Sequence, residues 1–200
     1  IHGNELHSTE ALLQILGLLA SDTPDAKQIR EEMTVIVIPM YNPDGAEANI
    51  RQSTTPDRID LNRDFEDFAQ VETVAFWKLW RDLGPELVLD LHHMGESPVV
   101  EGTEELNQFQ IGARSIDPSR MTAEQWLTNR QMAMVSVDAL AEYGPVNIAH
   151  YPLIDITNAG LSRMLMSGTA PAGEEPVAQT PTKGAIFYEV RSVGIRKRFS

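Results

Sequence analysis

Leu87-Val88-Leu89-Asp90-Leu91-His92-His93 is the stretch on which the fold turns. Leu87 to Leu91 is a short apolar run of the kind that makes a buried strand, and it ends at two histidines. Immediately before it, Gly84-Pro85 stops a helix predicted over Val71 to Leu83, with Phe76, Trp77 and Trp80 on its apolar side. A helix feeding through a tight turn into a buried strand is a building unit of α/β proteins.

Working outward, Met33 to Met40 (MTVIVIPM) predicts a second buried, central strand, because it is apolar and β-branched throughout. Asn42-Pro43-Asp44-Gly45 is a turn signal directly after it. Leu6 to Ala20 predicts an amphipathic helix, with Leu12, Leu13, Leu16 and Leu19 at helical spacing, closed by Asp22 to Asp25 with its Pro24. Arg51 to Asp57 is a polar loop. Thr122 to Tyr143 predicts a long helix with Thr122 as its N-cap and Gly144-Pro145 as its stop. Ser167 to Gly184, rich in Pro, Gly, Thr and Ala, predicts a long surface loop, and Ala185 to Val190 a final strand. No repeat and no second domain is visible. The expectation is one α/β domain over residues 1–200: a mainly parallel mixed sheet with helices on both faces.

Composition removes several function classes. The net charge is −13, and Lys and Arg cluster only at Arg196-Lys197-Arg198, so the basic surface that nucleic-acid binding needs is missing. There are no cysteines, which excludes disulfides, thiolate-held zinc and thiol catalysis. No apolar run is long enough to span a membrane.

Four short motifs carry chemistry. In His2-Gly3-Asn4-Glu5, one imidazole and one carboxylate three residues apart share a face at the start of a helix and can reach one cation. Taken alone, a solvated helix start explains it better. His92 closes a buried strand, where open α/β sheets build their sites. His93 competes with it, but side chains alternate along a strand, and Asp90 shares a face with His92 and can buttress its ring. Asn62 and Arg63, in Asp60-Leu61-Asn62-Arg63, pair an amide with a guanidinium that can grip a carboxylate. A salt bridge from Arg63 to Asp60 or Asp64 is the plainer explanation. Glu189 emerges from the apolar run Ala185 to Tyr188, where burial raises a carboxyl pKa and suits it to proton transfer. An edge-strand ion pair with Arg191 is its rival. What favours chemistry is conjunction: all four motifs occur in order, each at a predicted strand end or adjacent turn.

These residues, with Asn42-Pro43-Asp44-Gly45, Asp64-Phe65 and Phe187-Tyr188-Glu189-Val190-Arg191, resemble the zinc carboxypeptidases, the carboxypeptidase A-like metallopeptidases. The resemblance runs from residue 1 to about residue 194. It implies the zinc carboxypeptidase, phosphorylase/hydrolase-like fold and one zinc per chain held by His2, Glu5 and His92. It implies that Asn62 and Arg63 bind the C-terminal carboxylate of a peptide. Arg51 would polarise the scissile carbonyl, with Arg58 as a rival, and Asp60 would orient His2. Glu189 would act as general base and then as acid toward the leaving amine.

The resemblance also implies a longer catalytic domain, with a first strand pair ahead of His2 and a final helix after Glu189. The family's substrate-capping tyrosine has only Tyr151 and Tyr143 as candidates, and Tyr188 is too close to Glu189. Peptide-scavenging members are commonly exported, so a periplasmic or secreted location is favoured over the cytoplasm. A metal-dependent deacylase of small N-acyl amino acids is the nearest alternative, and a non-catalytic binding module on the same fold is a third.

Overall fold

The computed structural model describes residues 1–94, 102–105, 107–113, 121–150 and 160–191. Six helices and four strands follow one another as α1 (Leu6–Leu19), α2 (Pro24–Glu32), α3 (Pro43–Ala48), α4 (Val71–Leu83), β1 (Leu87–Met94), β2 (Phe109–Gly112), α5 (Ala123–Ala141), β3 (Ile148–His150), α6 (Leu161–Ser167) and β4 (Gly184–Arg191). The strands form one mixed sheet in the order β1-β4-β2-β3. β1 runs parallel to β4, β2 runs parallel to β3, and β2 meets β4 antiparallel.

Alternation along β4 divides the core into two layers. Ile186 packs with Ile111 and with Met132 and Ala133 of α5. Tyr188, on the same face, bonds Ser136 of α5 at 2.6 Å. Ala185 faces the other way, into a cluster with Trp77 and Trp80 of α4 and Met164 and Leu165 of α6. Helices therefore cover both faces, as the sequence predicts. The indole N–H groups inside this cluster are satisfied: Trp77 donates to the Thr169 carbonyl and Trp80 to the Thr182 hydroxyl, both at 2.9 Å.

The helix punctuation follows local chemistry. Thr122 and Gln125 form a reciprocal capping box at the start of α5. Gly84 ends α4 in the left-handed region at φ 59°. Pro24, expected as a terminator, instead opens α2 at its first turn, capped by the Thr23 hydroxyl. Asn42-Pro43-Asp44-Gly45 is likewise a helix start, with the Asn42 side chain accepting from Gly45 N at 2.9 Å. β2, β3 and α6 are further elements that the sequence reading does not contain.

One expectation is corrected. Residues 33–40 have no regular secondary structure and join no strand ladder among the described residues. Met33, Val35, Ile36, Ile38 and Met40 are exposed. A β-branched run becomes a strand only when its backbone bonds that of a neighbour, and among the described residues this run joins no such ladder. The outer edge of β1 is also unpaired among the described residues, with Leu87 and Leu89 exposed. Both segments line an apolar cleft of about 820 Å³ that reaches His2 and Glu5. The apolar side of α1 borders it, and no residue of α1 is buried.

Candidate metal centre and active site

The site lies toward the C-terminal ends of β1 and β4, the side on which parallel strands place ligand sites. His92 and Glu189 are direct register partners across the parallel ladder, so their side chains leave the same face. β4 is an interior strand, flanked by β1 and β2, which removes the edge-strand explanation of Glu189. Arg191 donates instead to the Asn107 carbonyl.

The third component comes from the loop before α1. Gly3 N donates to the Arg51 carbonyl, and a Cβ on Gly3 would collide with the backbone of Gly45 and Ile50. The Asn-Pro-Asp-Gly helix start thus serves as the seat for the His2-Gly3 turn. A residue larger than glycine at position 3 would push His2 out of place. Glu5 occupies the N-cap position of α1, and its amide bonds the His2 carbonyl at 3.2 Å.

His2, Glu5 and His92 are all buried and offer one donor atom each, with those atoms within 4.8 Å of one another. His2 Nδ1 lies 2.7 Å from Glu5 Oε1, His92 Nδ1 lies 2.8 Å from Glu5 Oε2, and the two Nδ1 atoms are 3.2 Å apart. Each ring is held from behind at its other nitrogen. Asp60 Oδ1 stands 3.1 Å from His2 Nε2, and Asp90 Oδ2 stands 2.9 Å from His92 Nε2. Two imidazoles and one carboxylate, converging and braced by outer carboxylates, match the donor set and support of a zinc site. His93 points elsewhere, its ring 5.1 Å from that of His7.

The electrostatics are correspondingly strong. Burial works to raise the Glu5 carboxyl, but hydrogen bonds and charge from His2 and His92 outweigh it and hold it well below the usual carboxylate range. Asp60 is depressed in the same way, against the cost of its burial, by His2 with help from Arg51 and Arg63. Burial favours a neutral His92 ring, yet Asp90 and Glu5 on its two sides push it up to about 10. A cation entering here must displace that proton, so metal uptake and proton release are linked. Glu189 differs from the others. Burial dominates, Glu5 adds to it, and the carboxyl is pushed up to about 7 despite His92, His2 and Arg51.

Arg51 stands at the rim. Its Nη1 donates to Glu5 and its Nε to Asp60, both at 3.0 Å. Arg58, its rival, is exposed at φ 47°, and its amide closes a turn onto the Thr55 carbonyl. Asn62 is tied at both ends of its residue: its amide N donates to Asp60 Oδ1 at 2.9 Å, and its side-chain Oδ1 accepts from Leu161 N at 2.8 Å. Arg63 Nη1 donates to the Asn62 carbonyl at 3.0 Å, while Asp64 caps the amides of Ala69 and Gln70. Among the tyrosines, Tyr143 is exposed at the end of α5, Tyr188 is engaged with Ser136, and Tyr151 lies outside the described residues. No sequence motif points to the Leu161 main-chain donor.

The class that fold and site define is an α/β domain with a buried two-histidine, one-glutamate cluster at the mouth of its parallel strands. Comparison with known proteins narrows it. The family model for zinc carboxypeptidases matches residues 1–112. Among curated proteins, this chain is similar to a probable carboxypeptidase 2 of Arthroderma benhamiae and to carboxypeptidase 2 of Trichophyton rubrum. Each is 34% identical over 92 residues, which are 46% of this chain and 17% of the relative. The chain belongs to the zinc carboxypeptidase family. It covers well under two thirds of the length of the relatives it matches. No helix among the described residues is long and apolar enough to cross a membrane.

Proposed function

We propose that this chain is the catalytic domain of a metallocarboxypeptidase that removes C-terminal residues from peptides. The observation that carries the reading is the register of Glu189 with His92. It sets a carboxyl with a pKa near neutrality beside a buried His2-Glu5-His92 cluster. His2, Glu5 and His92 would hold one zinc, which supplies a Lewis acid and makes water acidic enough to react at neutral pH.

The remaining work falls to the chain. Glu189, as carboxylate, accepts a proton from the attacking water and delivers it to the amine nitrogen as the C–N bond breaks. Its pKa near 7 suits both halves of that exchange. Arg51, half-exposed at the rim, uses its remaining N–H groups to stabilise charge developing on the scissile carbonyl oxygen. Asn62 and Arg63 bind the terminal carboxylate, which fixes cleavage at the last peptide bond. Asp60 and Asp90 keep the two rings in the orientation that presents Nδ1.

The test pairs metal content with peptide trimming by the purified protein, with and without a chelator. One zinc per chain and chelator-sensitive release of C-terminal residues are expected. Zinc with no trimming of any peptide, across a mixed library, would overturn the reading.

A further inference from the structure

Asn62 carries an orientation that the chain itself dictates. Leu161 N is a donor only, so the atom facing it at 2.8 Å must be the amide oxygen. The Nδ2 group is thereby turned the other way. Its nearest described neighbour is His92 Nε2 at 3.5 Å, a nitrogen already directed at Asp90. The approach that permits this bond is close: a Cβ on Gly160 would lie 3.4 Å from the same Asn62 oxygen. Asp60 fixes the main chain here, its carboxylate accepting from Asn62 N and its carbonyl oxygen from Arg63 N.

We infer that the main-chain N–H of Leu161 is a positioning device for the carboxylate-binding subsite. It locks the Asn62 amide so that both Nδ2 hydrogens are presented as donors and the oxygen, which would repel an anion, is hidden. The inference rests on the carboxypeptidase reading above. An Asn amide free to rotate would offer its oxygen to the ligand about as readily as its NH2, so the lock converts an ambivalent side chain into a dedicated donor. Arg63 supplies charge; Leu161, through Asn62, supplies direction.

The position allows an exact deletion. Leu161 is the first residue of α6, Gly160 before it is extended at φ −82° and ψ 164°, and both features accommodate proline. Leu161→Pro removes the N–H, while Leu161→Ala keeps it and loses the buried side chain. Both variants and the parent are compared for a peptide with a free C-terminal carboxylate and for its C-terminal amide. The side-chain amide resonances of Asn62 are followed by NMR alongside.

Leu161→Pro is expected to shift those resonances and raise KM for the free-carboxylate peptide about tenfold, with kcat nearly unchanged and the preference over the amide reduced. Leu161→Ala is expected to leave KM within about twofold whatever its unfolding midpoint does. Unchanged Asn62 resonances in Leu161→Pro, or equal KM in the two variants, would overturn the lock. A parent that ignores the C-terminal carboxylate would instead overturn the functional reading, and the resonances would still decide the orientation.

Discussion

Residues 87–94 and residues 33–40 are both eight-residue stretches rich in apolar side chains, and they meet opposite fates. The first is β1, bonded along its length to β4 and carrying Asp90 and His92 on its buried face. The second joins no ladder among the described residues and is largely exposed, although it is the more β-branched of the two. Intrinsic preference does not separate them; a partner does. β4 offers a parallel edge in register over eight residue pairs, and its own far side is closed by β2. The site grows on the strand whose position is over-determined, where a carboxylate and an imidazole on adjacent strands cannot drift apart.

The comparison can be broken at its most sensitive point first. Glu189→Gln keeps size and strand preference but removes the proton acceptor. A fall in kcat of roughly 10²–10⁴-fold with metal content unchanged is expected, read by turnover and metal analysis on one preparation. Retention of most activity would mean that another group takes the proton. Next, the strand ladder and the unpaired run differ in what they bury, as Ile186 of β4 and Ile36 show. Ile186 is 0% exposed and Ile36 is 48% exposed. Ile186→Ala is expected to cost about 2–5 kcal/mol and Ile36→Ala less than about 1 kcal/mol, measured as midpoints of urea unfolding. Equal losses would show that residues 33–40 are packed in solution.

A smaller effect follows from the Glu189 carboxyl. Its folded pKa of about 7 lies above its ordinary value of 4.5, so the folded state holds this proton more tightly than the unfolded chain. That contribution is complete below about pH 4.5 and is lost as pH rises through 7. In metal-stripped protein, Glu189→Gln is therefore expected to be more stable than the parent at pH 8 by roughly 1–2 kcal/mol, and nearly equal to it at pH 4. A variant less stable than the parent at pH 8 would show that the carboxylate is stabilised there by its neighbours. The smallest effect concerns the whole surface. A net charge of −13 draws cationic ligands, so peptides ending in Lys are expected to outpace those ending in Glu a few-fold at low salt. Equal rates at low salt would remove that preference.

Much of the site was legible because each motif carries its own local logic. Residue types at short spacing named His2, Glu5, His92 and Asn62, the family resemblance named Asp60, and the structure brings these side chains into contact. Alternation in β1 separates His92 from His93, and His92 is the one that joins the cluster with His2 and Glu5. The fold class was legible for a related reason, since α4, α5, β1 and β4 all announce themselves by pattern and caps. What escaped is non-local or double-edged. Whether residues 33–40 pair depends on a neighbour distant in sequence. A proline can stop a helix or start one; Pro24 and Pro43 both start one, as the capping side chains of Thr23 and Asn42 before them decide. The Leu161 donor is a main-chain group and leaves no trace in residue identity.

The open edge of β1 beside residues 33–40 has a consequence for how copies of this chain meet. A strand edge that joins no neighbour among the described residues, with Leu87 and Leu89 exposed along it, is a template on which a foreign strand can grow. At low ionic strength the molecule's negative charge keeps copies apart, but added salt shortens the reach of that repulsion to about 8 Å at physiological strength. Colloidal behaviour and the proposed chemistry thus share a border, since the same cleft reaches His2 and Glu5.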